Sequence, residues 1–330
     1  LDDAAFEALM QDASVKAYES TLRDMREGRP HQLSDELEQY ILDSSTVNSG
    51  WVRLYDETLA EARYDFRGEQ LGQAEMLAKM TDTDETVRKD AAQGFGKGLG
   101  ETLRITTMVM NTIAKKQEIS TRWRKFERPV SSRNKANLVE DKVVDALVEA
   151  VQGNYPKLAH RYYALKAKWM GKEKLPYWDR NAPLPDADER LIPFDEAKDT
   201  VLTAYGEFDG GMANIARRFF DESWIDAPVR PGKAPGAFAA PCVPSVHPYV
   251  LLNYKGKSRD VMTMAHELGH GVHQVLAGKQ GLFKSSTPLT LAETASVFGE
   301  MLTFRKMLSN EADKGKRKIM LAGKVEDMLN

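Results

Sequence analysis

Apolar residues recur over most of the first 230 positions at intervals of three and four, the period of a helix with one buried face. The clearest case runs from Leu138 to Gln152. There Val139, Val143, Leu147 and Val151 repeat at spacing four, with Glu140, Asp141 and Lys142 between them, so this stripe is expected to pack on another element. Similar patterns predict helices over roughly 4–26, 35–43, 50–64, 69–80, 84–93 and 100–120. Ser34, ahead of Asp35 and Glu36, and Thr83, ahead of Asp84 and Glu85, read as N-caps. Breaks fall at Gly28–Pro30, Gly153–Pro156 and Asn181–Pro185.

The pattern changes near residue 227. Pro228, Pro231, Gly232, Pro235 and Gly236 mark irregular chain, and the β-branched and aromatic run Pro248 to Tyr254 predicts a short strand. Lys255-Gly256-Lys257 reads as a turn. Ser258 is then a candidate N-cap, with Asp260 in the first turn, and the helix is expected to reach Ala277 with Gly278 at C′.

Composition narrows the class. A chain of 330 residues suggests two domains, at roughly 150 residues each. Lys+Arg 46 against Asp+Glu 49 argues against a nucleic-acid binder held by bulk charge, and 42% hydrophobic residues argue against disorder. The single cysteine, Cys242, excludes a disulfide framework and a Cys-rich zinc module. The longest stretch without a charge, Ala234 to Tyr254, carries Pro235, Pro241, Pro244 and Pro248, so no membrane span is expected. No signal peptide is visible, which points to the cytoplasm, although the chain opens on Leu1 rather than Met.

Two other features invite chemistry. Gly94, Gly96, Gly98 and Gly100 do not fit a phosphate loop, because Ala91 stands where that motif needs glycine; a Gly-dotted helix is expected. The basic run Lys115, Lys116, Arg122, Arg124, Lys125, Arg128, Arg133 and Lys135 reads as a solvated helix face rather than an anion site.

The helix after Ser258 contains His266-Glu267-Leu268-Gly269-His270, an H-E-x-x-H pattern. A helix sets His266 and His270 one turn apart and about 40° apart in azimuth, so both imidazoles can face one metal ion. Glu267 can reach a metal-bound water, take its proton as it attacks a carbonyl, and return it to the leaving amine. Three of the chain's 6 histidines, His266, His270 and His273, fall within this short stretch. Zinc suits the donor set, although other divalent ions take the same ligands. A third histidine at the metzincin spacing is excluded, since Leu276 stands there. Glu293, opening the run Leu291 to Glu300, is the favoured third ligand, with Glu300 the competitor at i+7 and otherwise a group that orients a ligand imidazole. His273 is either a substrate or support residue or a satisfied core histidine.

The strings HELGHGVHQ, PYVLLNYKGKSRDVMTMA and LAETASVFGE resemble the thimet oligopeptidase superfamily of zinc peptidases, within it the bacterial oligoendopeptidase F branch. Arg161 to Gly171 and the following Lys-Leu-Pro-Tyr-Trp-Asp resemble that branch as well. The likeness covers roughly residues 80 to 330; residues 1 to 80 match only in helical character. It implies a mostly α fold, two-lobed, with a small β-sheet beside the HExxH helix and a narrow substrate channel between the lobes. It further implies one zinc ion on His266, His270 and Glu293, and Glu267 as general base and acid. Gly236, Ala237, Phe238 and the strand near Tyr249 would line the cleft, where a strand edge can pair with a peptide main chain. The family's downstream His and Tyr pair, which stabilises the oxyanion, has no candidate here. The chain stops at Asn330 in what reads as the start of a longer helix, so a C-terminal segment is expected to be missing.

The leading expectation is a bacterial zinc endopeptidase for short unfolded peptides, binding neither nucleic acid nor membrane. An N-terminal helical domain would span 1–130 and the metallopeptidase domain 131–330. The alternatives are a zinc-binding but inactive fragment, a related zinc carboxypeptidase, and a helical binding module without metal.

Overall fold

Helix dominates the chain, as the three-to-four spacing of its apolar positions requires. The computed structural model describes residues 1–184, 190–230, 233 and 236–329; Pro185, Pro231, Gly232, Pro235 and Asn330, named above, lie outside them. Two compact units form, each assembled from separate stretches of sequence. One takes residues 1–28, 136–138 and the described residues of 188–320; the other takes 29–135 and the described residues of 139–187 and 321–330. A single cut at residue 130 therefore passes inside the second unit.

That second unit is built on one 39-residue helix, Glu85–Trp123. The helices expected over 84–93 and 100–120 are one element, and the four glycines lie inside it. Asp84, not Thr83, is its N-cap, and its carboxylate accepts the Thr86 N–H at 2.7 Å. Two of the glycines allow close packing. A Cβ on Gly94 would lie 2.1 Å from the Asp65 carbonyl oxygen, and one on Gly98 would lie 2.5 Å from the Tyr64 ring. The space admits a β-hairpin, Tyr64–Phe66 with Glu69–Leu71, turned through Arg67 and Gly68 at φ 56° and 91°. Helix was expected over 50–64 and 69–80, ending at Tyr64 and covering the second strand; the helices are Ser45–Glu61 and Gln73–Lys79 instead. Tyr64, Phe66, Leu71, Met76 and Ala91 form the small core that results.

The stripe expected to pack over 138–152 does not. Its helix is Asp141–Asn154, and Val143 and Leu147 are 51% and 62% exposed. Polar bonds fix the start of this helix: Asp141 accepts from Asn134 Nδ2 at 2.8 Å, and Asp145 pairs with Arg128. The basic run is not one helix face, because the helix ends at Trp123. Lys115 and Arg122 pair with Glu118 on its exposed side, Arg124 is partly buried on Glu38 and the His31 carbonyl, and Arg128 pairs with Asp145. Deeper in the unit, Asp179 is fully buried with Arg88 at 2.6 Å and Lys172 in contact.

The first unit opens with Asp3–Leu9, Ala13–Lys16 and Glu19–Glu27 rather than one helix over 4–26. Asp12 interrupts that run by accepting the Ser14 N–H at 2.8 Å, starting a new turn. The body of the unit is four helices, Phe194–Phe208, Gly210–Asp221, Ser258–Ala277 and Leu289–Asn310. They pack with a three-stranded sheet in which Tyr249–Leu251 lies between Ile225–Asp226, parallel, and Phe238–Ala240, antiparallel. Val261, Met264, Ala265, Leu268 and Val272 put one stripe of the Ser258 helix into the core, with Tyr205, Phe219, Trp224 and Val250. The helix begins at the expected cap, Ser258, one residue earlier than expected. Lys257 is the N-cap, and the Asp260 carboxylate reaches back to accept from Lys255 and Lys257 N–H at 2.8 and 3.0 Å. At the far end Gly278 stays right-handed and enters a 3₁₀ turn, so the left-handed glycine is Gly281, at φ 83°.

Candidate metal centre

Helical geometry sets the apolar stripe of the Ser258–Ala277 helix about 160° away from the mean direction of His266 and His270. The stripe is buried, so the histidines face out of the core while their backbone is held rigidly. The next helix, Leu289–Asn310, packs against this one at very short range. A Cβ on Gly269 would lie 2.6 Å from the Ala295 carbonyl oxygen and 2.8 Å from Ser296 Cα. Gly299 answers from the other side, where a Cβ would meet the Tyr205 hydroxyl at 2.2 Å. That hydroxyl, fully buried, donates to the Ala265 carbonyl at 2.6 Å. A larger residue at 269 would push the two helices apart, and one at 299 would displace the Tyr205 hydroxyl.

Close packing brings Glu293 to the histidines. Its Oε2 lies 3.1 Å from His266 Nε2 and 3.5 Å from His270 Nε2. One ligand atom from each of the three residues falls within 4.8 Å of the others, the spread that a single ion can bridge. Glu300 stands on the far side of His266, with Oε2 3.4 Å from Nδ1. A carboxylate only accepts, so each ring nitrogen of His266 can donate to the carboxylate it faces, Nδ1 to Glu300 and Nε2 to Glu293; an ion held by Nε2 would leave the remaining proton on Nδ1. Hydrogen bonding to Glu300 holds the His266 imidazole above its ordinary pKa, against burial. Burial pushes His270 below.

Glu267 lies beside them and is 7% exposed. Burial pushes its carboxyl upward; His266 opposes this, Glu293 adds to it, and the Ala239 N–H pulls it down. His273 is half-buried, and its ring does not join the three-residue cluster.

Phe238–Ala240 is an edge strand, and Phe238 and Tyr249 are exposed on one sheet face. Ala239 and Val250 point to the other face, and Val250 donates away from this strand to the Trp224 carbonyl. The outward edge at Ala239 is already engaged, since its carbonyl accepts from Gln274 Nε2 at 3.3 Å. Gly236 takes φ 83° and its carbonyl accepts from Asn253 Nδ2 at 2.9 Å. Sequence reasoning overlooked Gly269, Gly299, Tyr205, Gln274 and Ser296. Only the glycines left a readable signal, small residues on two helices that must approach each other.

The fold and this centre define a class. The sequence model of Peptidase family M3 matches residues 78–330 and that of the oligopeptidase F N-terminal region matches 1–64, so the chain belongs to peptidase family M3. Over 100% of its length it is 26% identical to an oligoendopeptidase F homolog of Borreliella burgdorferi, covering 56% of that protein. Over 97% it is 24% identical to oligopeptidase PepF of Bacillus subtilis, covering 49%. The chain thus spans about half the length of the curated relatives it matches. Its fold matches PZ peptidase A solved with an inhibitor at TM-score 0.77 and 18% identity, over 98% of this chain and 58% of that one. Family membership reaches the N-terminal stretch, where the sequence by itself offered only helical character.

Proposed function

We propose that this chain supplies the metal centre of a zinc endopeptidase that cleaves internal bonds of short, unfolded peptides. The observation that carries the reading is the convergence of His266, His270 and Glu293 within 4.8 Å, with buried Glu267 alongside. Two imidazoles and one carboxylate are the donor set of an open catalytic zinc site, so these residues fit the ion. When bound, zinc would lower the pKa of a coordinated water and polarise a peptide carbonyl. The remaining chemistry belongs to the chain. Glu267, its carboxyl raised by burial, takes a proton from the attacking water and hands it to the leaving amine. Glu300 keeps the His266 proton on Nδ1 and so keeps Nε2 free to ligate. Phe238 and Tyr249 offer an apolar face to substrate side chains beside Gly236, and main-chain pairing falls to Ala237, since the Gly236 and Ala239 carbonyls are engaged by Asn253 and Gln274. His273 contacts substrate or supports the site.

A cytoplasmic location belongs to the same proposal, and among the described residues no helix is long and apolar enough to cross a membrane. So does a functional division into a helical domain over 1–130 and a metallopeptidase domain over 131–330.

The test is cleavage of internally quenched peptides by the zinc-loaded chain, with products mapped by mass. Internal cuts are expected, abolished by a chelator and by Glu267→Gln, while Glu267→Gln retains zinc. Stoichiometric zinc without cleavage would sustain the inactive reading. Removal of the last residue alone would sustain the carboxypeptidase.

A further inference from the structure

We propose that Ser296 is a positioning residue that holds Glu293 in the conformation that reaches the metal, an inference resting on the zinc site proposed above. Glu293 is the least constrained member of the cluster. Its side chain is 58% exposed, against 27% and 16% for His266 and His270. With three rotatable bonds and mostly solvent around it, a free glutamate spends little time with an oxygen between two imidazoles.

Ser296 removes that freedom. It lies one turn along the same helix, fully buried, with Oγ 2.7 Å from Glu293 Oε2. That oxygen is the one facing both histidines. The hydroxyl has a single proton and a second acceptor within reach, the Glu293 carbonyl at 3.1 Å. A bond to an ionised carboxylate is the stronger of the two, so the proton goes to Oε2. One lone pair of Oε2 is then occupied, and the other would remain for an ion shared with the two imidazoles.

The serine itself cannot drift. Its Cα sits 2.8 Å from where a Cβ on Gly269 would stand, at a close contact between the two helices. Gly269 lies between the two ligand histidines in sequence. Packing therefore fixes the hydroxyl, and the hydroxyl fixes the carboxylate relative to both imidazoles. Preorganising a ligand in this way lowers the ordering cost of binding, and support groups of this kind are worth roughly 10–100-fold in metal affinity.

The experiment compares zinc affinity, by competition with a chromophoric chelator, for the parent chain, Ser296→Ala and Ser296→Thr. Cobalt is then substituted and its visible spectrum recorded. Ser296→Ala is expected to bind zinc roughly 10–100-fold more weakly and to alter the cobalt bands, with its metal-free circular dichroism unchanged. Ser296→Thr keeps the hydroxyl but adds a methyl at this packed position, and should lose less zinc affinity than Ser296→Ala. If Ser296→Ala matches the parent in affinity and spectrum, the inference fails while the zinc site stands. Equal losses in the alanine and threonine variants would assign the effect to packing and overturn it too. A parent chain that binds no zinc overturns the site itself, and this inference with it.

Discussion

At the scale of single residues, charge and hydrogen bonding separate two glutamates that sequence reasoning had to weigh against each other. Glu293 and Glu300 share a helix face two turns apart. Glu293 Oε2 faces the Nε2 atoms of both histidines, whereas Glu300 meets His266 at Nδ1. Glu293→Gln is expected to abolish stoichiometric zinc, because a neutral amide is a poor ligand. Glu300→Gln should keep the ion and weaken it by roughly tenfold, since it loses only the support of one imidazole. Equilibrium dialysis against zinc reads both, and the reverse ranking would exchange the two roles. The identities of His266, Glu267 and His270 as candidates were legible from spacing alone, because a helix converts i and i+4 into neighbours whatever surrounds it. The choice between Glu293 and Glu300 was only favoured, since it depends on how two helices slide against each other.

At the scale of elements, that sliding is set by glycine. Gly269→Ala would drive a methyl into the Ala295 carbonyl and Ser296 Cα, both backbone atoms that cannot swing aside. It is expected to cost about 1–3 kcal/mol by overpacking and to lower zinc affinity together with stability. Gly100 gives the contrast. It lies inside the Glu85–Trp123 helix with nothing within 4 Å of a new Cβ, so Gly100→Ala should stabilise by about 0.5–1 kcal/mol. Urea denaturation of the two variants distinguishes them by sign. Periodicity read the helices well where they are long and missed the hairpin Tyr64–Leu71. Its strands are three residues each, too short for alternation to register. The left-handed pair Arg67-Gly68 that turns it was the overlooked signal. The Asp141–Asn154 stripe shows the converse, because an amphipathic pattern states that a face is apolar but not what covers it.

At the scale of the whole molecule, stability couples to both proton and metal. Arg88 and Lys172 hold the buried Asp179 carboxyl below its usual range, against the burial that pushes it up. A lowered folded pKa stabilises above the unfolded value of about 3.9, and the gain is lost as pH falls through the folded one. Asp179→Asn should cost about 3–5 kcal/mol near neutral pH, since Arg88 is left buried without its counter-charge. The mutant's thermal midpoint should change less than the parent's on acidification, which melting curves at several pH values would check. Zinc acts through mass action. Chelating a saturating ion, at about 100 times its dissociation constant, removes about 2.7 kcal/mol and should lower the melting temperature by several degrees. An unchanged midpoint would contradict a bound metal. The sequence by itself determined the helical class and the triplet His266, Glu267 and His270, because both follow from local periodicity. Only the tertiary structure decided that Glu293 Oε2 faces both imidazoles and that Ala239 is engaged by Gln274. It also decided that Gly94 and Gly98 of the long helix seat a hairpin. Each of these depends on distances between segments far apart in the chain, which packing sets and no local spacing encodes.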